Sequence, residues 1–245
     1  MPTSPPAVAT RGEGARKLMD LRWTYPVHRP ASAPAPEHGT GVEAPREALP
    51  RERALAALVA GDPRPLLVLR ECAVCNKTDD ALLSRNENNE RTLILARWFH
   101  CVKLPVDVVE SDHPFHALFP SNEAEHLFVS AVDGSAKQPL ESDTSRVDLW
   151  SAMERTLAQS YEIDPGKAVK QVLHGLDRID QLERKIQELE ARKGELMETP
   201  RVDVSRVRKL QGEIDDLRKE AVQTTASVER MFEARPRDAS KGAQR

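Results

Sequence analysis

The chain has 245 residues, 39% hydrophobic and 31% charged, with a formal net charge of −3. That is length for one or two domains but too little apolar material for a single globule, so much of the chain is expected as extended helix or disorder. The near-neutral balance excludes a global pull toward nucleic acid, and no apolar run approaches the roughly 18 residues of a membrane helix.

The opening Met1-Pro2-Thr3-Ser4-Pro5-Pro6 lacks the apolar core of a secretory leader, so a cytoplasmic protein is expected. Residues 1–50 hold nine of the eighteen prolines. His28 to Pro36 reads as polyproline-like linker, and a segment that buries so little does not repay its ordering entropy. A disordered tail over 1–50 is therefore expected, with one island. Leu21, Trp23, Tyr25 and Val27 alternate as in a short strand over 21–27, suited to an edge strand or to docking on a partner.

Residues 51–162 read as the folded part. Arg51 to Ala60 carries a helical pattern stopped by Gly61-Asp62-Pro63. Leu66-Leu67-Val68-Leu69 is a continuous apolar run, as in a strand covered on both faces. Cys72-Ala73-Val74-Cys75 follows at once. Asn76 to Asp80 opens a helix through Leu83, Asn86 to Asn89 interrupts it, and Leu93 to Arg97 resumes it. Trp98 to Val109 reads as a second strand and its exit, broken by Pro105, and His113 to Pro120 as a loop or short helix. Leu127 to Val132 is a third strand, Asp133-Gly134 a hairpin turn, and Ala136 to Leu140 a fourth strand, placed at an edge by Pro139. Val147 to Ser160 closes the region as a helix with Leu149, Trp150, Met153 and Leu157 on one face.

Residues 165–235 carry heptads. Val172, Ile179 and Ile186 share one position; Leu182, Leu189 and Leu196 share its companion. Glu198 to Ser205 breaks the helix. A second series pairs Val207, Ile214, Ala221 and Val228 with Leu210, Leu217, Thr224 and Met231, and Lys193 and Thr224 interrupt the seam. Such a seam is covered either within one chain, as a helical hairpin, or between chains, as an intermolecular coiled coil in a homo-oligomer. Either way the arm is suited to protein partners. Residues 236–245 read as a polar, disordered end.

A buried strand, then CxxC, then a helix is the usual setting for thiol–disulfide chemistry. Exchange by such a pair passes through a mixed disulfide and needs no cofactor. Two cysteines kept as small apolar residues are the plainer alternative. Zinc would need His100 and Cys101, or His113 and His116. The first pair points to opposite faces of a strand and the second lies in a loop, so no metal site is assigned.

The strand 66–69, the pair Cys72 and Cys75, Lys77, the hairpin at Asp133-Gly134 and the closing helix together resemble the thioredoxin family. The resemblance covers roughly 110 residues. It implies an α/β thioredoxin-like domain, a central mixed sheet flanked by helices, with Cys72 at a helix N-terminus as the attacking nucleophile and Cys75 as the resolving thiol. The sequence departs from the family's pattern at several positions. Glu71 replaces the usual Trp, Ala73-Val74 replaces Gly-Pro, and Leu66 stands where thioredoxin has a buried acid. Glu125 stands about where the family has its cis-proline. Two functions are therefore expected from different classes: a thiol–disulfide oxidoreductase, or a non-catalytic thioredoxin-like adaptor that binds proteins through its arm.

Overall fold

A computed structural model describes residues 11–27, 47–71, 82–83, 88–119, 125–141 and 144–237. Its elements in chain order are α1 (Glu13–Leu18), α2 (Arg51–Val59), β1 (Leu66–Arg70), α3 (Glu90–Ala96), β2 (His100–Leu104), β3 (Leu127–Ser130), β4 (Gln138–Leu140), α4 (Arg146–Ser160), α5 (Pro165–Met197) and α6 (Val204–Met231). The protein is α/β, with a four-stranded mixed sheet and a long C-terminal helical region.

Sheet order is β2-β1-β3-β4. β1 runs parallel to β2, with Leu66 opposite His100, and antiparallel to β3, with Leu66 opposite Ser130. β3 and β4 are antiparallel, with Leu127 opposite Leu140. The unbroken apolar run of β1 has the cause expected of it, since both faces are covered. Leu67 and Leu69 enter a core with α3, α4 and α5, while Leu66 and Val68 enter one with α2, Phe115, Phe119 and Phe128. At the outer edge, Pro139 sits in β4 where no further strand pairs among the described residues.

Local chemistry sets the turns and helix starts. Ala60 and Gly61 end α2 at φ +48° and +83°, in the left-handed region, and Gly134 turns the β3–β4 hairpin at +74°. Ser145, Asp164 and Asp203 cap α4, α5 and α6 by accepting the N–H of Asp148, Lys167 and Arg206. Trp150 fastens α4 to α3 by donating to Thr92 Oγ1 at 2.9 Å, with Arg91 and Arg146 stacked on its ring.

Two parts of the chain pack differently from their composition. Residues 11–27, expected in the disordered tail, hold α1 and bury Ala15, Leu18 and Met19 in the core. Thr24 then makes a parallel bridge to Val102, donating to Cys101 O at 2.9 Å and accepting from Lys103 N at 2.9 Å. The strap is anchored by Arg11, whose guanidinium donates to Glu90, Asp177 and Asp180. Composition missed this because a few large side chains and one charge cluster suffice to order a short segment.

The helical region is also less separate than its sequence implies. α5 and α6 form an antiparallel hairpin within the chain, so the heptad seam closes intramolecularly. Its root, however, belongs to the core of the sheet: Val169, Val172, Leu176, Ile179 and Val228 share one cluster with Leu67, Trp98 and Leu157. Trp98 Nε1 donates to Met231 O at 3.2 Å, and Tyr161 bridges Pro236. Only the distal part is a two-helix arm, built on Leu189, Leu210 and Ile214. The 165 boundary is thus a change of periodicity rather than of core.

Candidate functional site

β1 and β2 are parallel, so Arg70 and Leu104 end at the same edge of the sheet, where antiparallel β3 begins. Pairing continues one residue past β1: Glu71 N donates to Leu104 O at 2.8 Å. On the other side, Arg70 N donates to His126 O at 2.8 Å, and Arg70 Nε reaches Glu125 O at 3.4 Å. Glu71, Glu125 and His126 are therefore held beside the point where the chain leaves the sheet toward Cys72. In open α/β sheets this carboxyl edge is where ligands are usually met.

Charges at the edge are paired. Lys103 Nζ lies 3.8 Å from Glu71 Oε1 and faces the Trp23 ring. Glu125 is buried, 8% exposed, and pairs with Lys137. The Lys137 ammonium also donates to Leu118 O at 2.8 Å and sits 4.4 Å from the Phe128 ring centre. A carboxylate in so apolar a place needs this partner. Burial, aided by the Arg70 charge, holds His126 below the ordinary histidine range, so it is neutral near pH 7.

Cys72 and Cys75, the two residues assigned from the sequence, lie outside the described residues, as does the start of the helix expected after them. What the structure supplies is the strand that leads to Cys72 and the charges around its end. Leu66, at the position of the family's buried acid, is fully buried at the far end of β1. Cys101 takes no part in this edge. It is 4% exposed, its Sγ faces Ala96 O at 3.4 Å, and burial pushes its thiol up to about 12.

The opposite edge carries a second polar cluster that sequence reading missed. His100 is 4% exposed, with Nδ1 3.4 Å from Asp62 Oδ2. Asp62 is held by Arg64, whose Nη2 approaches to 2.6 Å. Burial, and secondarily the Arg64 charge, lowers the histidine's proton affinity against the opposing pull of Asp62. Only the turn residues after α2 hinted at it, and their sequence reads as a helix stop.

The residues weighed as zinc partners, His100, Cys101, His113 and His116, lie among the described residues. Cys101 enters the α3–α5 core while its neighbour Val102 enters the other, so His100 and Cys101 face apart. His113 Nδ1 accepts from Phe115 N at 3.2 Å, a structural bond that fixes its loop. Among the described residues no three metal-binding side chains converge, and no helix is long and apolar enough to cross a membrane.

Compared with protein-family models, with curated proteins and with solved structures, the chain shows no significant match to any of them.

Proposed function

We propose that the chain is a thioredoxin-like protein whose Cys72 and Cys75 exchange thiol for disulfide with a protein substrate. The supporting observation is the course of β1. The resemblance asks for a fully covered apolar strand at the centre of a mixed sheet, running straight into CxxC. β1 lies between a parallel and an antiparallel neighbour, its Leu66 to Leu69 are buried, and its last described successor is Glu71, one residue before Cys72.

The reaction follows from thiol chemistry. The Cys72 thiolate attacks one sulfur of the substrate disulfide, forming a mixed disulfide and releasing the other substrate sulfur as thiolate. The Cys75 thiolate then attacks Cys72 Sγ and releases the second substrate sulfur. The substrate gains two electrons and two protons, and the chain is left with a 72–75 disulfide. An external dithiol reductant regenerates it. Glu71 raises the proton affinity of its neighbour, and Lys103 offsets part of that effect.

The test is reduction of a peptide disulfide by the full chain with a dithiol as electron source. The parent accelerates reduction over the dithiol alone. Cys72→Ser abolishes the acceleration, and Cys75→Ser accumulates a mixed disulfide visible by mass. A parent no faster than the dithiol alone overturns the reading.

A non-catalytic adaptor is the second reading, and one observation favours it. The distal hairpin closes on a small cluster of its own, Leu189, Leu210 and Ile214 with Ile186, Leu196 and Leu217 packed against it, so it adds little to the core of the sheet while presenting a long charged surface. Retained partner binding in a chain without any reduction activity would support it.

A further inference from the structure

Ion pairing along the hairpin stops short of its tip. On the shaft, Arg178, Lys185, Arg218 and Lys219 pair with Glu220, Glu188, Glu190 and Asp216. At the tip, Arg192, Arg201, Arg206, Arg208 and Lys209 are exposed and form no ion pair among the described residues. Residues 192–209 carry six Arg or Lys against three acids, Glu195, Glu198 and Asp203, and Asp203 is engaged in capping α6. The shaft is the reverse: residues 177–190 carry five acids and three bases, and residues 211–220 four acids and two bases.

The same tip exposes apolar side chains. Met197 is 57% exposed at the end of α5, Val202 45% in the connection and Val204 64% at the first residue of α6. None of the three belongs to the distal cluster, whose members nearest the tip are Leu196 and Leu210. The cations stand close to them. Arg201 adjoins Val202, while Arg192 and Lys209 are each five residues, about 8 Å along a helix axis, from Met197 and Val204. That is within the roughly 10 Å over which charge acts at 0.1 M salt. A surface that receives the apolar side chains therefore also meets the unpaired cations.

We infer that the tip seats end-on against an anionic lipid surface. Met197, Val202 and Val204 enter the headgroup layer, and the arginines around them meet lipid phosphate and carboxylate groups. Charge selects this occupant together with the apolar side chains. A nucleic-acid backbone would meet the cations but offers no apolar layer to receive Met197 and the valines. A stable protein interface takes roughly 20–30 residues a side, more than this protruding turn supplies, whereas a fluid bilayer yields around it. The acidic shaft is repelled by the same surface, so contact is confined to the tip. The core of the sheet, which the hairpin enters at Ile179, is then held about 27 Å away, eighteen residues of helix from Met197. The inference is independent of the cysteine chemistry.

Co-sedimentation of the full chain with vesicles tests this. The parent binds phosphatidylcholine vesicles containing about 30% phosphatidylserine and leaves pure phosphatidylcholine vesicles unbound. Raising salt from low to about 0.5 M weakens binding roughly tenfold, since exposed charges are screened. Arg201→Gln, Arg206→Gln and Arg208→Gln together weaken it about tenfold. Met197→Ser, Val202→Ser and Val204→Ser together weaken it about fivefold at constant charge. Arg178→Gln with Lys185→Gln, on the shaft, leaves it unchanged. Circular dichroism checks that helicity is kept, and the single variants Arg201→Gln and Val202→Ser repeat both comparisons outside the helices, each with a loss of about twofold. A parent that ignores the anionic vesicles overturns the inference, as does equal binding to both vesicle types or binding indifferent to the charge variants or to the apolar ones. So does a tip that binds immobilised polyglutamate but not the vesicles, which would mark an acidic protein as its partner. Peptide-disulfide reduction is read separately, and its loss or retention leaves this result unaffected.

Discussion

At the residue scale, the edge beyond β1 turns on neighbouring charges. Glu71 stands next to Cys72 and is 3.8 Å from Lys103. Removing the carboxylate charge favours thiolate, so Glu71→Gln should speed alkylation of Cys72 near pH 7 by a factor of about three, and Lys103→Met should slow it. An unchanged rate in both would show that Cys72 does not feel this edge. Cys101 serves as the internal control. Its thiol is buried and pushed up to about 12, so a chain carrying Cys72→Ser and Cys75→Ser should resist alkylation at pH 8 until denatured. His100 makes a pH prediction. Its folded pKa is lowered below the ordinary 6.5, chiefly by burial. Below about pH 6.5 the unfolded chain binds a proton that the native chain refuses, so stability falls as pH drops through that value. Urea midpoints between pH 7.5 and 5.5 should fall in the parent and fall less in His100→Gln. Equal slopes would remove His100 from the account.

At the element scale, the hairpin is the most legible part of the sequence and β1 comes next. Both are written in long, uninterrupted patterns: the heptads through Ile179, Leu182 and Leu189, and the apolar run Leu66 to Leu69. The break over Glu198 to Ser205 falls where α5 ends at Met197 and α6 begins at Val204. Legibility drops where local pattern and tertiary contact part company. Trp98 and Phe99 read as the start of a strand, yet β2 begins at His100, because both rings are drawn into the core instead. Val106 to Val109 reads as strand exit and is a 3-10 turn, started by Pro105. Gly175 is a detail that no periodicity reveals. It faces α6 so closely that a Cβ would overlap Val228 Cγ2. Gly175→Val should therefore destabilise the chain by about 1–3 kcal/mol, with partial recovery on adding Val228→Ala. Chemical denaturation of the single and double variants measures this, and a neutral Gly175→Val would show that the helices can part at no cost.

At the scale of the whole molecule, the strap and the hairpin root complete a core that the sheet region does not close by itself. Arg11 holds α3 and α5 through Glu90 and Asp180, all three side chains largely buried, so Arg11→Met should cost about 2 kcal/mol by leaving carboxylates unpaired. A chain ending at residue 162 would expose Trp98 and Leu157, which Val172, Leu176 and Val228 help to cover. It should lack a cooperative thermal transition, whereas the full chain shows one. These contacts span sequence separations that no local signal encodes, which is why the composition places residues 11–19 in a tail and the heptads in a separate arm. The candidate site is legible differently: Cys72 and Cys75 stand out as a CxxC pair directly after an apolar strand, while Lys103, Glu125 and Lys137 are brought to the edge by strand pairing. The most direct measurement is the rate of peptide-disulfide reduction by the full chain against its Cys72→Ser variant, with a dithiol as electron source. A parent well above the dithiol background and a variant at background is the expected result. Equal rates for the two would contradict the proposed exchange.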